Sequence, residues 1–269
     1  MSAVIEVERL VARYGEHTVL KGVDLQVQAG EIMVVMGGSG SGKSTLLRHL
    51  LGLQAPHSGH VRLLGEDINA ISAQRLVELR RKMGVAFQGG ALFSSMTVGE
   101  NVMLPLREHA RLDESTMQIM MRLKLDIVNL AGCENLMPAQ LSGGMIKRAA
   151  MARAIIMDPR LLFLDEPSAG LDPVVAASLD ELILKLRDAT GMSLVVVTHE
   201  LESAFKIADR IAVLDHGDIL VCGSVDEVRA SSSERVQALL NRRIQPLELN
   251  PEEYLKRLTG GPVSSGASA

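Results

Sequence analysis

Eight consecutive residues carry the strongest chemical signal in the sequence: Gly37, Gly38, Ser39, Gly40, Ser41, Gly42, Lys43 and Ser44, with Thr45 next in line. The spacing is G-x-x-x-x-G-K-[ST]. Its glycines let backbone N–H groups converge on phosphate oxygens, because no Cβ blocks the approach. Lys43 is placed to reach the β- and γ-phosphates of a nucleotide, and Ser44 to offer its hydroxyl to Mg²⁺. The apolar run Ile32–Met36 reads as a strand leading in, and Thr45–Leu51 as a helix leading out. That helix would bring its positive end and free N–H groups to the same point. A flexible glycine linker would need no such strand–loop–helix setting.

A second group of polar residues stands where apolar runs end. Leu161–Leu164 is continuously apolar, as in a central parallel strand covered on both faces, and it runs into Asp165 and Glu166. Open α/β sheets place ligands at such strand ends. There Asp165 would hold Mg²⁺ through water, and Glu166 would orient or deprotonate an attacking water. Ser193–Thr198 ends at His199, which either donates to a γ-phosphate or is an ordinary loop histidine. Met83–Phe87 ends at Gln88, whose amide either binds Mg²⁺ and positions water or is a plain polar loop residue. Leu141, Ser142, Gly143, Gly144 and Met145 open a helical run from Ile146 to Met157. Ser142 is a good N-cap, and the opening reads as an anion site or as a simply capped helix. Asp172 before Pro173 is a sound entry to a helix over Val174–Thr190. Tyr14, one of 2 tyrosines, either stacks on a nucleobase or covers a sheet edge.

The remaining pattern supplies elements to hold these groups. Alternation predicts half-buried strands at Val4–Leu10 and Val23–Val27, with Tyr14 in the loop between them. Val61–Leu64 reads as a short strand, followed by a turn at Gly65–Asp67, and Ala73–Arg81 as a helix. From 89 to 159 strand signals fade, predicting a helical insertion. Within it, Asn101–Leu106 is an apolar stretch near turn residues. Ser115–Leu123 is a helix with Met117, Met120, Met121 and Ile119 on its apolar side. Ile211–Leu214 and Ile219–Val221 read as a hairpin, and Glu234–Arg243 as a helix. A short amphipathic helix starts at Asn250, with Tyr254, Leu255 and Leu258 on one edge. The last residues, 260–269, are Gly/Ser/Ala-rich and predicted to be disordered.

Composition sets the outer limits. A 269-residue chain with 47% hydrophobic and 22% charged residues has an ordinary globular core. With 2% aromatics and no Trp, that core must be filled by aliphatic residues and 14 Met. A net charge of −4 gives no case for nucleic-acid binding. Cys133 and Cys222 form no metal-ligand pattern and read as small buried thiols in a reducing cytosol. No basic-then-apolar leader opens the chain, and no apolar run approaches the roughly eighteen residues of a membrane span. Any membrane role is therefore expected to go through a partner chain.

Taken together, the phosphate loop, Gln88, Leu141–Gly144, the strand ending at Asp165 and Glu166, the Ser168–Asp172 turn and His199 resemble the ATP-binding cassette (ABC) ATPases. The resemblance implies an α/β P-loop NTPase with a RecA-like core, an N-terminal antiparallel β-subdomain and a helical subdomain at about 89–159. One domain would span 3–240, and 241–269 would be a C-terminal extension. It further implies ATP and Mg²⁺ as ligands and a head-to-tail pair of copies. Each ATP would lie between one phosphate loop and the partner's Ser142–Gly144, with Asp172 at the seam and Tyr14 on the adenine. Met145 departs from the common pattern, which has Gln there, and is expected to face away from the donor groups. The stretches Phe87–Phe93 and Asn101–His109, with Met145, resemble more narrowly the ATPases of the Mla (MCE-type) phospholipid-transport systems. That implies an MlaE-like permease, an MlaD-like MCE protein and an MlaB-like STAS-domain protein, with the chain peripheral to the cytoplasmic face of the inner membrane. The motifs do not separate this cargo from a polar solute such as an amino acid. A third reading is a soluble cassette acting on nucleic acid or ribosomes, disfavoured by the mildly acidic charge, or a non-hydrolytic binding module, disfavoured by the intact Glu166 and His199.

Overall fold

The chain begins as a hairpin of two long strands, β1 (Ala3–Tyr14) and β2 (His17–Gln28), in a computed structural model that describes residues 3–241. Both strands run well past the segments predicted from alternation. Register shifts between Val7 and Leu10 and between Ala12 and Arg13 break the period-2 pattern while the pairing continues. Tyr14 is therefore the last residue of β1, opposite His17, and not part of a loop. With β4 (Ser58–Leu63) and β5 (Glu66–Asp67) the hairpin forms an antiparallel sheet of order β2-β1-β4-β5. The predicted turn at Glu66 and Asp67 is thus a short edge pairing with Arg62 and Leu63.

The second sheet carries the functional residues. It comprises β3 (Ile32–Met36), β6 (Met83–Ala86), β7 (Leu161–Asp165), β8 (Ser193–Thr198), β9 (Arg210–Asp215) and β10 (Asp218–Gly223), in the order β10-β9-β3-β8-β7-β6. Every pairing is parallel except the β9–β10 hairpin. The middle strands are apolar throughout because each face meets a different core. Ile32, Val34, Leu162, Leu164, Leu194 and Val196 join one cluster. Met33, Val35, Leu161, Phe163, Val195 and Val197 join the other, which packs the first sheet and α1 (Lys43–Leu50) against the opposite face. Phe163 is fully buried at this junction, where truncation to Ala would cost about 3–5 kcal/mol.

Residues 89–159 hold three α-helices and no strand. After α2 (Ala73–Arg80) come α3 (Val98–His109), α4 (Glu114–Ile127) and α5 (Gly143–Ile155), packed on the first cluster. The stretch Asn101–Leu106 lies inside α3, and Pro105 is within that helix. Thr97 and Glu100 form a capping box that fixes the helix start, and Asn101 is fully buried. The Asn101 amide donates to the carbonyls of Phe93, Met96 and Thr97 and accepts from Phe93 N–H at 2.7 Å. This anchoring, with Val102, Met103 and Leu106 buried, carries the helix past a proline that lacks its own donor. On α4, Met117 and Met121 are buried, but Ile119 is 59% exposed and stands off the packed side. The chain continues through α6 (Pro173–Thr190), α7 (Leu201–Ile207), α8 (Val225–Arg229) and α9 (Glu234–Leu240). Both cysteines are free and half-buried, less enclosed than expected. The predicted helix from Asn250, its Tyr254–Leu255–Leu258 edge and the predicted disorder at 260–269 lie outside the described residues.

Parallel pairing brings the C-terminal ends of β3, β8, β7 and β6 to one edge of the sheet. The phosphate loop, His199, Asp165 with Glu166, and Gln88 follow those ends in turn.

Candidate functional site

The loop Gly37–Gly42 joins β3 to α1 under tight steric limits. A Cβ on Gly37 would stand 2.1 Å from the Leu214 carbonyl oxygen, so only glycine lets the loop leave β3 beside β9. Gly42, at φ 110°, is the N-cap of α1 and offers no side-chain cap; no acidic residue lies in the first turn. By contrast α2, α3, α4, α5 and α6 are capped by Ser72, Thr97, Asp113, Ser142 and Asp172. The first N–H groups of α1 are thus left for an anion. Lys43 Nζ donates to Gly37 O at 2.7 Å and Gly38 O at 2.8 Å. Ser41 Oγ is buried and has no hydrogen-bond partner among the described residues. A cavity of about 420 Å³ opens over Gly40–Thr45, walled by His17, Val19, Lys21 and His216. The β9–β10 turn braces it, since Gly217 N donates to Ser41 O and Lys21 N to Gly217 O, both at 3.0 Å.

At the ends of β7 and β8 the acidic groups gather. Glu166 is buried, has φ 49°, and donates its N–H to Val197 O at 2.8 Å. Its carboxylate lies 2.9 Å from His199 Nδ1 and accepts from Thr198 Oγ1 at 3.3 Å. His199 Nε2 stands 3.4 Å from Glu200. Burial and the Glu166 charge push the Asp165 carboxyl above the usual carboxylate range, with Lys147 and Lys43 pulling it back. Burial likewise lowers the Lys43 and Lys147 ammonium groups, and Glu166 and Asp165 oppose that shift. The two carboxylates and two ammonium groups therefore share one electrostatic cluster. Gln88 is exposed just beyond β6.

The remaining predicted groups face outward. Ser142 caps α5 by accepting from Met145 N at 3.3 Å, and both Ser142 and Gly143 are exposed. Asp172 caps α6, accepting from Val174 N and Val175 N at 3.1 Å, and is exposed. Tyr14 is 43% exposed, with its hydroxyl donating to Gln54 Oε1 at 2.7 Å.

A family model described as ABC transporter matches residues 20–169, more than half of the chain. The chain belongs to the ABC transporter family. The cassette is 37% identical over 258 residues to the intermembrane phospholipid transport system ATP-binding protein MlaF of Haemophilus influenzae, covering 95% of this chain and 98% of that one. It is 41% identical over 227 residues to MlaF of Escherichia coli K12, covering 84% of each. It is 38% identical to the probable ribonucleotide transport ATP-binding protein mkl of Mycobacterium leprae, over 94% of this chain and 73% of the relative. Among solved structures it resembles the dimeric cassette MJ0796 in a post-hydrolysis state with ADP and Pi. The TM-score is 0.76 at 31% identity, covering 82% of this chain and 98% of that one. The cassette cbiO1 of Clostridium perfringens gives a TM-score of 0.79 at 27% identity over 97% of this chain and 100% of that one.

In the cassette, Met145 is half-buried against the helical core. The sequence did not single out Lys147, Lys21 or His216. Lys147 Nζ donates to the Gln88 carbonyl and to Glu166 O at 2.8 Å. A lysine in a helix and a histidine in a hairpin turn are ordinary surface residues by sequence, and only the folded chain brings them to the site.

Proposed function

We propose that the chain binds and hydrolyses ATP as half of a head-to-tail dimer and drives phospholipid movement between inner and outer membrane through a separate permease. One observation carries the hydrolytic part: an uncapped helix start at Lys43 lies in the same charge cluster as the Glu166–His199 pair. The anion fit rests on the orphaned Ser41 Oγ and the free first turn of α1. The backbone of Gly37–Gly42 with Lys43, Ser44 and Thr45 would hold the phosphates. Lys43 uses two of its three donors on carbonyls, leaving a third. The oxygen donors Ser44, Gln88 and Asp165 suit Mg²⁺, which would neutralise phosphate charge. Glu166 would orient or deprotonate the attacking water. His199 holds that carboxylate and would turn its ring edge to the γ-phosphate. Tyr14 would stack on adenine. The second copy would contribute Ser142, Gly143 and Gly144, with Asp172 at the seam.

The phospholipid cargo is supported by similarity to MlaF proteins over nearly the whole length of both chains. A permease is supported by a groove of about 370 Å³ between α2, β6, α3 and α5, lined in part by Val77, Arg81, Pro105, His109 and Met157. Pro105 and His109 belong to the stretch that resembles the Mla ATPases. No helix among the described residues is long and apolar enough to cross a membrane. By its similarity to the MlaF proteins, the chain would sit at the cytoplasmic face of the inner membrane on an MlaE-like permease, with MlaD-like and MlaB-like partners.

Purification from native membranes in mild detergent, with mass spectrometry of bound chains and lipids, tests this reading. A permease with an MCE-domain protein and phospholipid is the expected result. The similarity to mkl favours a second reading, transport of a polar solute, which a permease with a solute-binding protein would support. Absence of any membrane partner would remove the transport reading and leave the ATP chemistry.

A further inference from the structure

Helix α5 grips the loop that follows β6 along most of its own length. Arg153 donates to Gly90 O and Ala91 O, both at 2.8 Å. The loop lies so close that a Cβ on Gly90 would stand 2.6 Å from Ile146 Cγ2. Lys147 extends this grip, because its half-buried ammonium donates to the Gln88 carbonyl and also crosses to Glu166 O at 2.8 Å. It ties the ends of the neighbouring strands β6 and β7 to the helix that starts at Ser142.

The Glu166 end of this link is a strained one. Glu166 has φ 49°, a left-handed conformation that is unfavourable for a residue with a side chain. Such a conformation persists only where its surroundings over-determine it. Here the Glu166 N–H is held by Val197 O, and the Glu166 carbonyl accepts from Lys147 Nζ and, at 3.3 Å, from Ala169 N. Of the two donors to that carbonyl, Lys147 is the charged one.

We propose that Lys147 is a positioning residue: it fixes the Glu166 peptide, and so aims the carboxylate, according to where the N-terminus of α5 stands. A group bound by the exposed Ser142–Gly143 end is then felt at Glu166 through Lys147, which lies just over one turn along the same helix. The inference rests on the hydrolytic reading of Glu166. It adds to that reading a residue from the helical part of the chain that acts through the Gln88 and Glu166 carbonyls.

The test compares wild type, Lys147→Met, Lys147→Arg and Glu166→Gln in the full chain with its native complex. It measures steady-state ATPase, binding of a fluorescent ATP analogue, melting temperature and amide exchange. Lys147→Met is expected to lower kcat about 10–100-fold, the range for loss of a hydrogen bond to a charged group. KM and analogue affinity should stay within about twofold, since a bond made only to position Glu166 does not contribute to uniform binding. Amide exchange should quicken at Gln88–Ala91 and Glu166–Ala169 while β3 and β8 stay protected. Lys147→Arg should restore most of the rate. Wild-type kcat in Lys147→Met overturns the proposal. So does a joint loss of rate, nucleotide affinity and melting temperature that Lys147→Arg does not rescue. ATP turnover that survives in Glu166→Gln would instead remove the hydrolytic reading, whatever Lys147 does.

Discussion

The N-termini of α1 and α5, both proposed to receive an anion, are finished to different degrees. The start of α1 is recessed in a cavity, has no side-chain cap, and carries Lys43 at its first position. The start of α5 is exposed, and Ser142 already satisfies one of its N–H groups. The first end can enclose phosphate within one chain. The second offers a hydroxyl and open glycine N–H groups to something that arrives from outside. The difference is what the proposed head-to-tail pair needs: one chain would hold one full half-site and the complement of another, so that two copies form two sites.

Several substitutions would break or sharpen that contrast. The largest effect is expected at Glu166, where Glu166→Gln should cut turnover by about 10²–10⁴-fold, as for loss of a general base. ATP should then hold the dimer closed, visible by size-exclusion chromatography; monomers that bind ATP without pairing would break the comparison. Next comes Gly143→Asp. The site has room, as the nearest heavy atom to a new Cβ is Leu171 Cδ2 at 3.8 Å. An acidic side chain in the first turn should stabilise α5 by about 0.3–1 kcal/mol, while its charge repels an incoming phosphate. Melting temperature should therefore rise as hydrolysis is lost, with ATP affinity of the isolated chain unchanged. Mixing this variant with Lys43→Ala should restore activity, because roughly a quarter of all sites in a random mixture of head-to-tail pairs are intact. No recovery on mixing would place both ends in one chain's site.

Smaller effects follow away from the phosphates. Tyr14→Ala should weaken ATP binding by about 5–150-fold, from loss of base stacking of roughly 1–3 kcal/mol, with kcat little changed. Unchanged affinity would return Tyr14 to a cover for the sheet edge. Asp180→Asn is the control outside both helix ends. Asp180 is buried and accepts from Ser203, and burial raises its carboxyl pKa above the unfolded value. Its protonated form favours the folded state, so that contribution is present at low pH and is lost as pH rises through the raised value. The Asn variant should flatten this slope in melting temperature just above the ordinary carboxylate range, and leave turnover as it was.

The phosphate loop, the two core strands that end at Glu166 and His199, and the caps at Ser142 and Asp172 were legible because each is a local pattern. Lys43 must follow its glycines directly, and a strand buried on both faces must be apolar throughout. What escaped depends on distant partners. The outer half of the β1–β2 hairpin was lost because bulges interrupt alternation. Asn101–Leu106 read only as an apolar stretch, because the contacts of Asn101 that sustain a helix through Pro105 are made to backbone carbonyls. Lys147 and Arg153 act on backbone carbonyls of a loop some sixty residues earlier, and a carbonyl leaves no residue type by which to recognise it.

The two hydrogen bonds from Lys43 back to Gly37 and Gly38 also bear on the energetics of capture. A lysine free in solvent has about 2 kcal/mol of rotamer entropy to lose when it grasps a ligand. Here the side chain has already given up that freedom to the loop it serves, so the loss is charged to folding and not to association. Binding would engage the donor that Gly37 and Gly38 leave free, with the ammonium already held beside the phosphate loop. ATP capture should accordingly be marked by favourable enthalpy and little penalty from ordering this side chain.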